Sequence, residues 1–422
     1  MESYCQQVER FMYKLCHFTL ITFIISFSFF DYKLVGYAQP LLAQNIDQNT
    51  NDLKYPVILI PGLGGAQAYC ELKAQKSTIF SVWLNLLYLM LPEKMYNYFA
   101  LRYDQSTLDA QDTDTCRVVF PGWGHTSTVE YLQNSGFRFF NYFGSLVQTL
   151  TMDKYFVKNF TIRAAPYDFR RLPYENSDFM ERLKLLVEET YENGQQRPVV
   201  LIGHSMGSLY TLNFLNKQTK EWKQKYVKSY ISVSAPFGGS VKALLGITSG
   251  DNFSVFFRNP LSFRPILRSF TSIVSTVPHP RVWLPDEVLV STPTRNYTVN
   301  DYQALFRDID FPLGYEVMMK ARENFITLSP PADVPEVYCI YSSGLVTMKR
   351  LVYKPAGIYR DAFPNQAPVL EYGDGDGTVN LESLEVCTHW PDVKIIHLPA
   401  SSHVPILADH RFVQFVQSHV TS

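Results

Sequence analysis

In the run Pro198-Val199-Val200-Leu201-Ile202-Gly203-His204-Ser205-Met206-Gly207, an apolar β-branched stretch meets a Gly-x-Ser-x-Gly pentapeptide, and a helical pattern to Asn216 follows at once. Few architectures accept this. A short, uncharged strand is buried on both faces, as in a parallel sheet, and the helix after it must cross back over that sheet. The two glycines make room around a serine held on a sharp, strained turn. The helix start aims its N–H groups at the same point, so the Met206 N–H is placed to bind an oxyanion beside a Ser205 nucleophile. The plain alternative is a glycine-rich turn around an inert buried serine; the strand-to-helix context favours the nucleophile.

The rest of the chain repeats the rhythm. Strands are expected over 55–60, 227–234, 337–341 and 393–398, the last followed by a helix from His410 to Ser418. The fold class this implies is α/β, with a right-handed parallel sheet covered by helices. Two regions break the pattern. Residues 66–120 hold the aromatic-rich run Ile79 to Leu91, and residues 240–324 are rich in Phe, Pro and Ser; both are read as insertions above the carboxyl edge of the sheet, where α/β enzymes hold substrate.

The other chemistry-bearing residues are sought downstream of the serine. In Gly373-Asp374-Gly375-Asp376-Gly377 two carboxylates compete for the role of orienting acid, and residue logic alone leaves both open. A histidine base belongs in the loop after the last strand, which singles out His403. His397 lies inside that strand and is expected to pack as a structural side chain, while His410 is expected to face solvent. Gly62-Leu63-Gly64-Gly65 after the first strand supplies a second oxyanion donor, the Leu63 N–H.

Bulk properties limit the alternatives. The 422 residues carry 38 basic and 39 acidic side chains, a net charge of −1, which excludes the basic face of a nucleic-acid binder. Residues 1–38 read as a signal peptide or signal anchor, with Arg10 and Lys14 ahead of an apolar run, so the body, 39–422, is expected as one domain in a lumen or outside the cell. Cys70, Cys116, Cys339 and Cys387 then lie where disulfides persist, and no metal or cofactor is expected. Asn159, Asn252 and Asn296 begin glycosylation sequons.

Taken together, these motifs resemble the lecithin:cholesterol acyltransferase family, and most nearly its lysosomal phospholipase A branch. The likeness runs from about Pro56 to Phe415 and is carried by Pro61 to Gly64, Ser81-Val82-Trp83-Leu84-Asn85-Leu86, Pro121-Gly122-Trp123-Gly124, Ala164 to Arg171, Gly203 to Gly207, Ser234 to Gly239, Asn296-Tyr297-Thr298 and Gly373 to Asn380. It implies an α/β-hydrolase fold with a membrane-binding insertion in 66–120 and a lid or cap in 240–324. It also implies Ser205, Asp376 and His403 as the catalytic set, Leu63 and Met206 as oxyanion donors, and a Cys339–Cys387 disulfide. Cys70–Cys116 is then the remaining pair. Members carry aspartate or cysteine where this chain has Leu63, so an acid preference is not carried over.

The reaction so implied is acyl transfer from a phospholipid through an acyl-enzyme on Ser205 to water or a lipid alcohol. Its partner is a phospholipid membrane or lipoprotein surface, and its location the secretory pathway, secreted or lysosomal. A serine lipase or esterase for neutral lipids or thioesters is the alternative, and a non-catalytic lipid-binding protein a more distant one. Arg170 and Arg171 offer charge for a head-group phosphate, with an ion pair to Asp168 as the competing reading.

Overall fold

The computed structural model describes residues 53–422 apart from 105, 134–139, 177, 254–257 and 326. The targeting segment expected over 1–38 lies outside the described residues. Six strands build the central sheet: β1 (Val57–Ile60), β2 (Ile162–Ala164), β3 (Val199–His204), β4 (Val227–Val233), β5 (Val337–Tyr341) and β6 (Lys394–His397). Their order across the sheet is β6-β5-β4-β3-β1-β2, and every pairing is parallel.

Alternation along the strands divides the core into two layers, since successive side chains point to opposite faces. Ile58, Ile60, Val199, Leu201 and Tyr230 pack with Leu183, Leu186 and Leu212, from helices α1 (Phe179–Asn193) and α2 (Met206–Asn216). Val57, Leu59, Val200, Ile202 and Ile231 pack on the other side with Phe412, Val416 and Val420 of the last helix, α3 (His410–Val420). Asp409 starts α3, its carboxylate accepting the Arg411 N–H, which satisfies one of the donors a helix start leaves free. Because both faces are covered, β1 and β3 have no exposed residue.

Between residues 68 and 119 the chain forms a second, antiparallel sheet whose apolar residues join the same core. Strands Ala68–Leu72, Ile79–Trp83 and Cys116–Val119 pair antiparallel, followed or bridged by helix Pro92–Phe99 and a hairpin of Leu101–Tyr103 with Ala110–Asp112. The aromatic-rich run is split by Asn85, whose side chain caps the short helix Leu86–Leu89. Val82 and Leu89 are buried there, Trp83 stacks on Phe99, and Ile79 stays 56% exposed. Cys70 and Cys116 form a disulfide between two of these strands.

Arg170 ties this segment to the loop that carries Asp168. Its buried guanidinium pairs with Asp168 and with Asp112 of the hairpin, and donates to the Phe99 carbonyl. The head-group reading of Arg170 is therefore corrected. A fully buried cation already matched by two carboxylates has no charge to offer a phosphate, and Arg171 is likewise paired with Asp168.

Residues 240–324 form mainly helices, among them Val241–Thr248, Arg264–Ser269, Tyr302–Asp308 and Pro312–Asn324. Strands Val290–Ser291 and Asn296–Tyr297 within it join Thr347–Val352 and Val369–Gly373 in a four-stranded sheet. The last of these strands delivers the chain to Asp374 and Asp376. Among the described residues no helix is long and apolar enough to cross a membrane.

Candidate active site

Ser205 occupies the turn between β3 and α2 with φ 53° and ψ −128°, a conformation that costs a non-glycine residue about 1 to 3 kcal/mol. The surroundings enforce it. A Cβ added at Gly203 would lie 2.7 Å from Ser208 Cα, and one at Gly207 would lie 2.3 Å from the Ile60 carbonyl oxygen. The Ser205 N–H donates to the Val233 carbonyl at 2.8 Å, so the turn stays tied to β4.

The loops after the late strands bring two partners. His403 Nε2 stands 3.0 Å from Ser205 Oγ, and His403 Nδ1 stands 2.7 Å from Asp376 Oδ2. The other oxygen, Asp376 Oδ1, accepts the N–H groups of Thr378 and Val379 at 3.0 and 2.8 Å. Burial by itself would raise the Asp376 carboxyl; its interaction with His403 and the hydrogen bonds it accepts outweigh this and hold the group below its ordinary value. An ionised Asp376 makes Nδ1 the protonated nitrogen of a neutral His403, leaving Nε2 free to accept the serine proton.

Asp374, the competing acid, does not meet His403. It is exposed, and its carboxylate accepts the N–H groups of Gly344 and Gly375. His410 is exposed as expected. His397 corrects the expectation of a packed side chain: it is exposed, stacked on Tyr341 and bonded to Ser343 Oγ at 2.7 Å. β6 is the outermost strand of the sheet, and three of its four residues, Lys394, Ile395 and His397, are exposed.

The glycine-rich loop after β1 lies against the serine. A Cβ at Gly62 would be 2.7 Å from Ser205 Cβ. The loop is closed by the Gly65 N–H donating to the Gly62 carbonyl at 3.0 Å and held by Trp83 Nε1 donating to the Gly64 carbonyl at 2.8 Å. Leu63 follows Gly62 on this loop, and Met206 opens α2, where N–H groups have no acceptor within the helix. Trp83, which stacks on Phe99, is thus also a brace for that loop.

Cys339 on β5 is bridged to Cys387, in the segment that follows Asp376. Asn159 and Asn296 are exposed, whereas Asn252 is half-buried with its amide donating to the Arg258 carbonyl.

The parallel sheet, the strained serine between its strand and helix, and the acid and histidine on later loops define an α/β-hydrolase. Residues 79–326 and 318–411 match the family described as lecithin:cholesterol acyltransferase. A lysosomal phospholipase A and acyltransferase of Canis lupus familiaris is 36% identical over 374 residues, which cover 84% of this chain and 88% of that protein. The Homo sapiens protein of that name is 36% identical with coverages of 84% and 87%. A phosphatidylcholine-sterol acyltransferase of Gallus gallus is 36% identical over 351 residues, covering 79% and 81%. This chain belongs to the lecithin:cholesterol acyltransferase family.

Proposed function

We propose that the protein is a serine-dependent phospholipid acyl-hydrolase and O-acyltransferase of the secretory pathway, secreted or lysosomal. The observation that carries this is the unbroken hydrogen-bond line from Asp376 through His403 to Ser205. Names of relatives at 36% identity, phospholipase A and acyltransferase, support the substrate class.

In the proposed reaction His403 Nε2 takes the Ser205 proton as Oγ bonds to the ester carbonyl carbon. The oxyanion so formed lies toward the Leu63 and Met206 N–H groups. Its collapse breaks the bond to the lysolipid oxygen, which leaves with the proton from His403. Water or a lipid alcohol, activated by the same imidazole, then takes the acyl group and frees Ser205.

Labelled phosphatidylcholine in vesicles, with and without an added long-chain alcohol, tests this. Released fatty acid, diverted to acyl ester when the alcohol is present, is expected. Turnover confined to a triglyceride emulsion or an acyl-thioester would transfer the site to the neutral-lipase or thioesterase alternative. Absence of covalent labelling by a fluorophosphonate would leave only lipid binding.

The lipid surface is assigned to the 66–120 region, where Ile79 and Tyr96 stand 56% and 41% exposed, and the 240–324 region is assigned the role of lid. Ile79→Ser is expected to lower co-sedimentation with phosphatidylcholine vesicles by about 3- to 10-fold, the loss of one inserted aliphatic side chain. Hydrolysis of a water-soluble ester should be unaffected. Equal sedimentation of both proteins would move the contact to another surface.

A further inference from the structure

A second buried hydrogen-bond chain runs beneath Ser205 and none of the chemistry above uses it. The Gly62 N–H donates to Tyr142 Oη at 2.9 Å, Tyr142 Oη is hydrogen-bonded to His204 Nδ1, and His204 Nε2 lies 2.8 Å from the backbone oxygen of His403. Tyr142 is 3% and His204 1% exposed. The ends of the chain dictate its protons. A carbonyl only accepts, so Nε2 carries hydrogen; Nδ1 is then bare and takes the phenol O–H, while the phenol oxygen accepts the Gly62 N–H. Every group is satisfied in one arrangement, with His204 neutral. Burial, reinforced by the neighbouring His403 imidazole, pushes His204 down to about 3, so a cation there does not oppose the imidazolium that His403 becomes.

What the chain touches gives it meaning. The Gly62 N–H is held by Tyr142 and its carbonyl by the Gly65 N–H. In a trans peptide the C=O and the following N–H point in opposite directions, so fixing the Gly62 carbonyl inside the turn aims the Leu63 N–H out of it. His403 is held the same way: its carbonyl by His204 Nε2, its N–H by the Asp376 carbonyl at 3.0 Å. Between these two anchored loops sits Ser205, next in sequence to His204. Tyr142 itself has little freedom, because its N–H donates to the Glu130 carbonyl and its ring meets His204 and Phe143 edge-on.

We propose that Tyr142 and His204 are positioning residues, which set the Leu63 loop, the Ser205 turn and the His403 loop at one mutual spacing so that oxyanion donor and base meet the same tetrahedral centre. This rests on Ser205 being the nucleophile.

The test is a double-mutant cycle in the full-length protein, with Tyr142→Phe, His204→Phe and the pair assayed for kcat and KM on a water-soluble ester and for thermal midpoint. Wild-type protein is first labelled with a fluorophosphonate and the modified peptide mapped. Each single substitution is expected to lower kcat about 10- to 100-fold, in line with a displaced oxyanion donor or base, with KM within about 3-fold. Groups acting as one unit are not additive, so the pair should lose no more than about 3-fold beyond the worse single.

A lower thermal midpoint with kcat retained would reduce the chain to a packing role and overturn the proposal, as would losses that multiply in the pair. Should His204→Phe fail to fold, Tyr142→Phe, which keeps its ring, decides by its kcat alone. Wild-type label found away from Ser205 would instead remove the nucleophile assignment itself.

Discussion

Ser205→Ala is expected to yield a folded protein whose turnover of a phospholipid or a soluble ester falls by about 10⁴- to 10⁶-fold, the range for loss of a triad nucleophile. Folding should survive because the change removes only Oγ, whose hydrogen bond is to His403 Nε2. The Cβ stays, the turn keeps its φ of 53°, and one neutral hydrogen bond is worth about 1 kcal/mol. The residual rate would come from the Leu63 and Met206 N–H groups. Turnover within tenfold of wild type, measured beside an unchanged thermal midpoint, would take the nucleophile's role from Ser205.

Asp376→Asn is expected to lower kcat by about 10⁴-fold with little change in structure, as an amide in this position selects the wrong imidazole tautomer. The geometry forces that outcome. Oδ1 faces two donors, the Thr378 and Val379 N–H groups, and Oδ2 faces His403 Nδ1. An asparagine keeps its oxygen toward the two N–H groups and turns its NH₂ to His403. Nδ1 must then accept, the proton moves to Nε2, and Nε2 can no longer take the one from Ser205. Asp374→Asn is the matched control, since Asp374 is exposed and accepts the Gly344 and Gly375 N–H groups; its kcat should stay within about 3-fold, as for a surface substitution. Equal losses in the two variants would reopen the choice of acid.

That choice illustrates how far the sequence reaches. Two aspartates separated by one glycine carry no local mark of which meets a histidine; the family resemblance favoured Asp376, and the physical distinction is burial. Asp376 is fully buried and Asp374 exposed. His403 was legible because a loop after the last parallel strand opens on the same edge as the serine turn. His397 was misjudged because nothing in four residues tells a central strand from an edge strand.

Arg170 is a further case. Beside Arg171 and Asp168 its sequence neighbourhood fits either a phosphate site or an ion pair, and the deciding carboxylate, Asp112, is 58 residues away. Tyr142 left no signal at all. It lies 62 residues before His204 in a stretch without a motif, and its role exists only because Gly62 and His204 converge on its hydroxyl.

From residue order alone came the parallel sheet, the strained serine turn, the two glycine-rich loops and the Ser, Asp, His succession. Each follows from constraints acting within a few residues: side-chain alternation, steric room at glycine, the free donors of a helix start. Tertiary structure decided the ion pairing of Arg170, the exposure of His397 and the buried chain through Tyr142 and His204. Those depend on which distant loops share a dry volume, where a polar group left without a partner costs about 1 to 3 kcal/mol and convergence, not sequence distance, selects the partner.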